Sequence, residues 1–418
     1  MIALVDCNNF YVECERLFQP RLSNKPVVVL SNNDGCIVSR SNEVKQLGIP
    51  MGIPVFQARD ELLFEGVEMF SSNYALYGDM SARIIATLRQ FTSAIEVYSI
   101  DESFIELPKD KDKDKDRKAH CHHIKETVKK WTGLPVSIGI GMTKSLAKLA
   151  NKVAKKYTSG VFDLVNHPRH EKVLDYIPVG DVWGIGKRYT EKLNQHGIET
   201  VYQLTRADDK WIQKHLTITG LRIVMELRGI PCLPLELTPS PKKSIGRSRS
   251  FGRSVTKIED LKQALAMHVT SAAKVLREEG SVASCMQVVV ETNPFVEPYH
   301  GKHITAKFET PTASTPAMIK CAHEGLMRIY REGESYTRAG IYLTDLCSEN
   351  AIQASLFCEP NTERSRDVME VVDKLMVRFG RHKIKWASEG LKQKWAMRQA
   401  HLSQRYTTKW DEILKVGV

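Results

Sequence analysis

No stretch of the 418-residue chain is apolar for as long as a membrane span requires. Met1-Ile2-Ala3-Leu4-Val5-Asp6 carries neither a basic leader nor a long hydrophobic one. A spanning topology is therefore excluded, and the cytoplasm is the expected compartment. The nine cysteines, an odd number running from Cys7 to Cys358, include no CxxC pair. That is not a disulfide framework, and reduced thiols are expected. His120-Cys121-His122-His123 has ligand-type side chains but lacks the second spaced pair of a zinc site, and it reads as a solvated helix start.

What remains is an ordinary globular composition, 42% hydrophobic and 26% charged, in a chain long enough for two to four packed units. Lys plus Arg number 60 against 49 Asp plus Glu, so the net charge of +11 favours a polyanionic partner, nucleic acid or an anionic membrane surface.

Short apolar runs at residues 2–5, 27–30, 95–107 and 136–140, each bounded by Gly, Pro, Asn or helical patterning, predict a mixed α/β region. Leu76, Met80, Ile84 and Leu88 recur at helical spacing between them. The alternating Lys and Asp of residues 109–117 predict a surface loop or exposed helix start. From about Leu174 to Arg228 the pattern is helical, with glycine turns at Gly184-Ile185-Gly186 and Gly197. After a Pro-rich connection at 231–241 come a basic segment, a helix near 261–276, a β-rich run at 283–290 and a second helix near 318–330. Together they predict a separate α+β domain ending near Leu343, followed by a polar tail.

Ile2-Ala3-Leu4-Val5 reads as a buried strand that stops at Asp6. In residues 95–107 two apolar-rich arms meet around Asp101-Glu102. Adjacent strand residues face opposite ways, so these two share a site only if a turn or bulge lies there. Should Asp6 lie beside that turn, three carboxylates gather whose repulsion is relieved by a hard cation such as Mg²⁺. Two such ions roughly 4 Å apart stabilise the attacking and leaving oxygens of a phosphoryl transfer. The bland alternative is a solvated turn. On the helix predicted from about Thr143 to Lys156, Leu146, Leu149, Ala150 and Val153 form one stripe, and Lys144, Lys148, Lys152 and Lys156 form a basic ridge on another face. Gly139 to Ser145 is not a Walker loop, because Thr143 stands where its last glycine belongs.

Three segments occur together in the order and separation of the Y-family DNA polymerase catalytic domain: Asp6-Cys7-Asn8-Asn9-Phe10-Tyr11, Tyr98-Ser99-Ile100-Asp101-Glu102-Ser103-Phe104, and Gly139 to Lys148. The resemblance extends through Leu30 to Cys36 and Ser71-Ser72-Asn73-Tyr74 across nearly the whole chain. It implies a multidomain α/β right-hand polymerase. The palm takes residues 1–23 and 76–165, the fingers 24–75, a helical thumb with a helix-hairpin-helix 166–231, and a linker 232–241. An α+β little finger at 242–345 and a partner-binding tail at 346–418 complete the chain.

The resemblance makes Asp6, Asp101 and Glu102 catalytic metal ligands for two Mg²⁺ ions, with the backbone carbonyl of Cys7. It assigns Phe10, Tyr11, Lys45 and Lys155 to the nucleotide, with Tyr11 as the gate that excludes a 2′-hydroxyl, although Phe10 fits core packing equally well. Many relatives hold the triphosphate with Tyr-Glu-Ala-Arg where this chain has Asn42-Glu43-Val44-Lys45, and a lysine cannot make the bidentate fork of arginine. Gly184, Gly186 and Lys187 match a phosphate-binding hairpin. Lys242, Lys243, Arg247, Arg249 and Arg253, flanking Phe251, match the little-finger edge that follows the template backbone. Gln353, Leu356 and Phe357 resemble a sliding-clamp peptide. The implied activity is error-prone translesion DNA synthesis in the SOS response to DNA damage, without a proofreading exonuclease. The implied partners are primer-template DNA, deoxynucleoside triphosphates, a UmuD-derived dimer, RecA and the sliding clamp. A catalytically silent DNA-binding scaffold with the same fold is the first rival, and a nucleotide cyclase on a related palm is the second.

Overall fold

A computed structural model describes residues 1–108, 114–157, 159–165, 167–351, 363–380 and 383–415. In chain order the first elements are β1 (Ile2–Cys7), α1 (Phe10–Phe18), β2 (Val27–Leu30), β3 (Ile37–Arg40), α2 (Asn42–Gln46), α3 (Val55–Phe64), β4 (Glu68–Ser71) and α4 (Tyr74–Leu88). Then come β5 (Ile95–Val97), β6 (Glu102–Glu106), α5 (Asp114–Thr132), β7 (Val136–Gly141), α6 (Lys144–Ala154) and β8 (Val161–Asp163). Helices α7 (His170–Tyr176), α8 (Lys187–Gln195), α9 (Val201–Arg206) and α10 (Asp209–Leu227) follow. The last elements are β9 (Ile245–Val255), α11 (Ile258–Glu278), β10 (Ser281–Thr292), β11 (Gly301–Thr312), α12 (Thr315–Ile329), β12 (Tyr336–Ser348) and α13 (Glu363–Phe379).

These elements form two compact units. One comprises Met1–Ser31, Cys36–Pro239 and His401–Val418; the other comprises Asn32–Gly35 and Ser240–Ala400. The first unit is built on a five-stranded sheet of order β5-β6-β1-β7-β8. The run Ala3 to Cys7 is buried because β1 lies near the middle of that sheet, antiparallel to β6 on one side and β7 on the other. A second, small sheet of order β3-β2-β4 packs Val28 and Leu30 against Val44, Ala58 and Leu62 of α2 and α3. Helices α7 to α10 enclose a third core that also receives Leu146, Leu149 and Ala150 of α6.

Gly139 and Gly141 let α6 lie against β7. A Cβ on Gly139 would fall 2.0 Å from the Asn151 nitrogen, and one on Gly141 would fall 2.5 Å from that of Ala147. The glycines that superficially resemble a phosphate loop are therefore packing residues. In the second unit a four-stranded sheet of order β11-β10-β12-β9 carries α11 and α12. The predicted β-rich run is β10; strands β11 and β12 were not anticipated, because His303, Thr305, Lys307 and Glu309 make β11 polar.

Two local expectations need correction. The Lys/Asp-rich stretch is not wholly surface, since Arg117 is buried on α5 and pairs with Asp163 at 3.2 Å. His120 to His123 sits within α5, not at its start, with Cys121 fully buried and Phe91 packed on His120 and His123. Residues 109–113 and the clamp-like Gln353, Leu356 and Phe357 lie outside the described residues. Among the described residues, eight cysteines are free thiols and no helix is long and apolar enough to cross a membrane.

Candidate active site

Asp6 ends the apolar run of β1, and antiparallel register sets it directly opposite Glu102, the first residue of β6. The turn that Asp101 and Glu102 require is present. Tyr98 and Ser99 both donate their N–H groups to the Glu102 carbonyl at 3.1 Å, while the Ser99 hydroxyl accepts from Glu102 N and donates to Asp101 Oδ1 at 2.6 Å. Cys7 N–H donates to the Asp101 carbonyl at 2.9 Å, tying the hairpin to the end of β1. Residues 95 positions apart in the chain thus become neighbours through two local bonding patterns.

The charges are unevenly balanced. Lys155 Nζ lies 2.7 Å from Asp6 Oδ2. Lys148 Nζ lies 3.1 and 2.8 Å from the two carboxylate oxygens of Glu102, and 4.4 Å from the centre of the Tyr98 ring. Asp6 is 5% exposed; burial pushes its carboxyl up from 3.8 to about 7, Lys155 opposes this, and the nearby Glu102 and Asp101 add to it. Burial beside these acids likewise raises the Cys7 thiol.

With the lysines holding Asp6 and Glu102, no three His, Cys, Asp or Glu side chains among the described residues are gathered as the ligands of one ion. Backbone register sets Asp6 opposite Glu102, while their carboxylates are engaged by the ammonium groups of Lys155 and Lys148. An all-oxygen set that includes a buried, under-neutralised carboxylate nevertheless suits a hard divalent cation, and the lysine contacts are the ones it would displace.

The basic ridge is only partly a solvated face: Lys144 and Lys148 are engaged by acids, whereas Lys156, just past the end of α6, is exposed. Lys144 is buried and pairs with Glu96 at 2.5 Å, Lys148 holds Glu102, Lys152 pairs with Asp181 at 2.5 Å, and Lys156 lies 5.4 Å above the Tyr176 ring. Sequence patterning placed these lysines correctly on one face but could not show that acids from β5, β6 and the helical region meet them.

Lys45, on α2, donates to Asn9 Oδ1 at 2.6 Å and to Asn42 Oδ1 at 3.2 Å, and Asn9 donates to Asn42 at 3.1 Å. Burial, with Arg40 and Lys155 nearby, lowers the Lys45 ammonium. The Arg40 guanidinium, which donates to the Ile49 carbonyl, is the larger of the two charges that do so. Asn9 has φ +47°, a left-handed turn that asparagine tolerates, and from it α1 starts with Phe10 and Tyr11. Phe10 is 3% exposed and belongs to the core, so its ring has no surface for a nucleotide; Tyr11 is the half-buried member of the pair.

Gly184 has φ +89°, and a Cβ there would come 2.6 Å from Ile223 Cδ1, so the turn needs glycine. Gly186 caps α8 in open space, and the Lys187 side chain is exposed. Trp183, just before the turn, donates to the Tyr98 hydroxyl at 3.1 Å, joining the turn to the acidic hairpin. In the second unit β9 is an edge strand. Lys243, Arg249 and Arg253 are exposed on or beside it, Arg247 is half-buried against Ser271, Lys242 pairs with Glu279, and Phe251 faces the core.

Residues 5–152 match the impB/mucB/samB family, residues 242–356 match the C-terminal domain of that family, and residues 366–416 match a domain of unknown function, DUF4113. Protein UmuC of Salmonella typhimurium is 43% identical over 423 residues, covering all of both chains. DNA polymerase IV of Desulfatibacillum aliphaticivorans is 25% identical over 91% of this chain and 94% of its own. A Y-family DNA polymerase chimera of Dbh and Dpo4 shares the fold, with a TM-score of 0.64 at 20% identity over 83% of this chain and all of that one. The fold is that of a right-hand Y-family polymerase, multidomain and α/β. Within that class the chain belongs to the impB/mucB/samB family, whose members include UmuC.

Proposed function

We propose that this chain is an error-prone, DNA-directed DNA polymerase that extends primers past damaged template during the SOS response. Its reaction joins a primer 3′-hydroxyl to the α-phosphate of a deoxynucleotide and releases pyrophosphate. The observation that carries this reading is the cross-strand pairing of Asp6 with Glu102, beside an Asp101 fixed by Cys7 N–H and Ser99.

Asp6, Asp101 and Glu102 would hold divalent metal, with Cys7 supplying a carbonyl. Two Mg²⁺ ions, if held there, would supply charge neutralisation at the attacking and leaving oxygens. The chain's own part is positioning. Lys155 and Lys45, whose charges act on each other near Asp6, would supply ammonium groups to a triphosphate. Tyr11 presents a half-buried ring near enough to Asp101 to be acted on by its charge, suited to exclude a 2′-hydroxyl. Lys148, held between Glu102 and the Tyr98 and Trp183 rings, fixes the Glu102 carboxylate. The Gly184–Gly186 turn with Lys187, and the arginines of β9, would contact DNA phosphates without reading bases.

A UmuD-derived dimer, RecA and the sliding clamp are the proposed partners, with Gln353, Leu356 and Phe357 as the clamp peptide. Deleting Gln353 to Phe357 should reduce clamp-dependent synthesis alone. The silent-scaffold and cyclase alternatives are separated by one assay: Mg²⁺-dependent primer extension across a defined lesion, with and without these partners. Extension supports the proposal. No extension with every partner present favours the scaffold, and template-independent conversion of a nucleoside triphosphate favours the cyclase.

A further inference from the structure

The chain returns to the first unit at His401, and that return makes specific contacts. Ser71 N–H donates to the His401 carbonyl and His401 N–H to the Ser71 hydroxyl, both at 3.0 Å, continuing β4 through a parallel bridge between Ser71 and Leu402. The Asn73 amide donates to Ser403 Oγ at 2.9 Å and to the Gln404 carbonyl at 3.1 Å. Its Oδ1 caps α4 by accepting from Leu76 N. Tyr406 stacks on Phe18 of α1 at 4.8 Å.

On α1, with its carboxylate reaching Tyr77 of α4, is Glu15, fully buried. Its Oε1 accepts from the Ser403 hydroxyl at 3.0 Å and from the Tyr77 hydroxyl at 2.7 Å. The Tyr77 ring in turn lies 4.4 Å from that of Tyr11, 15° from parallel, and Tyr74 meets Tyr11 edge-on at 6.0 Å. A buried aromatic ring anchored at its hydroxyl loses the freedom to slide, so the ring stacked on it is held as well.

We propose that the tail segment 401–406 positions Tyr11 for sugar discrimination, through Ser403, Glu15 and Tyr77. Ser403 and Tyr77 are positioning residues, reaching the nucleotide only through the Tyr11 ring. The inference rests on the reading of Tyr11 as the sugar gate. It couples a C-terminal segment, far from the motifs in sequence, to the choice between ribo- and deoxyribonucleotides. A difference of a few tenths of an ångström in ring position is enough to matter when selection depends on contact with one hydroxyl.

The test is single-nucleotide insertion by the full chain, with kcat and KM measured for the ribo and deoxy forms of one nucleotide. The readout is the ratio of the two kcat/KM values, which a smaller folded fraction would not change. Tyr11→Ala should relax selection most. Tyr77→Phe, which keeps the ring but loses its anchor, and Ser403→Ala should each relax it about 3- to 10-fold, chiefly through a lower ribonucleotide KM, and Ser403→Thr should restore it. If Tyr11→Ala relaxes selection while Tyr77→Phe and Ser403→Ala keep the parental ratio, the tail linkage is wrong and the gate stands. An unchanged ratio in Tyr11→Ala removes the gate and the linkage together.

Discussion

Lys155 and Asp6 form a 2.7 Å ion pair in which the lysine side chain is 43% accessible and the aspartate 8%. The exposed partner can leave; the buried one cannot. If Lys155 has its proposed role, Lys155→Ala removes a competitor of metal for Asp6 and a charge-assisted contact to the incoming triphosphate worth about 1.5–3 kcal/mol. Extension assays should therefore show the Mg²⁺ midpoint falling as the deoxynucleotide KM rises about 10- to 100-fold. An unchanged KM would take Lys155 out of the triphosphate site.

The close approach of α6 to β7 gives a prediction about stability. Gly139→Ala puts a methyl group onto the Asn151 backbone, which cannot move without displacing the helix that carries Lys148 and Lys155. Overpacking of this kind costs about 3 kcal/mol or more. Chemical denaturation should show a loss of that order, and a variant as stable as the parent would mean that the helix does not sit this closely.

The strand ending in Asp6, the acidic hairpin and the helix carrying the lysines were legible in the sequence, because an apolar run ending in an acid and a 3.6-residue stripe are local signals. Their juxtaposition was left open by those local signals and followed only from the family resemblance that the three motifs carry. Pairing was not legible: that Lys144 and Lys148 meet Glu96 and Glu102 depends on register, which composition does not encode. The roles of Glu15 and Ser403 were hidden for the same reason. Single polar residues separated by 388 positions leave no periodic trace, and only the folded path of the chain brings them to 3.0 Å.

Buried Glu15 makes stability depend on pH. Its carboxyl is pushed from 4.5 to about 7, chiefly by burial, although Tyr77 and Ser403 donate to it. The other titratable neighbours, Tyr77, Cys14 and Tyr406, are all raised above their ordinary values and stay neutral in this range. A raised folded-state value means that the stabilisation is fully present below about pH 4.5 and lost as pH climbs through 7, by on the order of 3 kcal/mol. Glu15→Gln removes that dependence, so its stability relative to the parent should grow between pH 5 and pH 8. Parallel profiles would show that Glu15 is not held protonated.

The exposed arginines of β9 bear on DNA binding. Arg249→Ala and Arg253→Ala should each weaken binding to any sequence and reduce the slope of log affinity against log salt by about 0.9. A fluorescence-anisotropy titration at several salt concentrations reads both quantities. Loss of affinity for one sequence alone would assign these residues to base contact.

In the proposed mechanism, acids from two strands act together in nucleotidyl transfer. The most direct measurement is single-turnover primer extension by Asp101→Asn in Mg²⁺, with DNA affinity measured on the same preparation. Asparagine preserves the shape of the turn and its bond to Ser99 while removing the charge. The account predicts extension slowed by about 10³-fold or more, with primer-template affinity within about twofold of the parent. Extension within about tenfold of the parental rate at equal DNA affinity would contradict it.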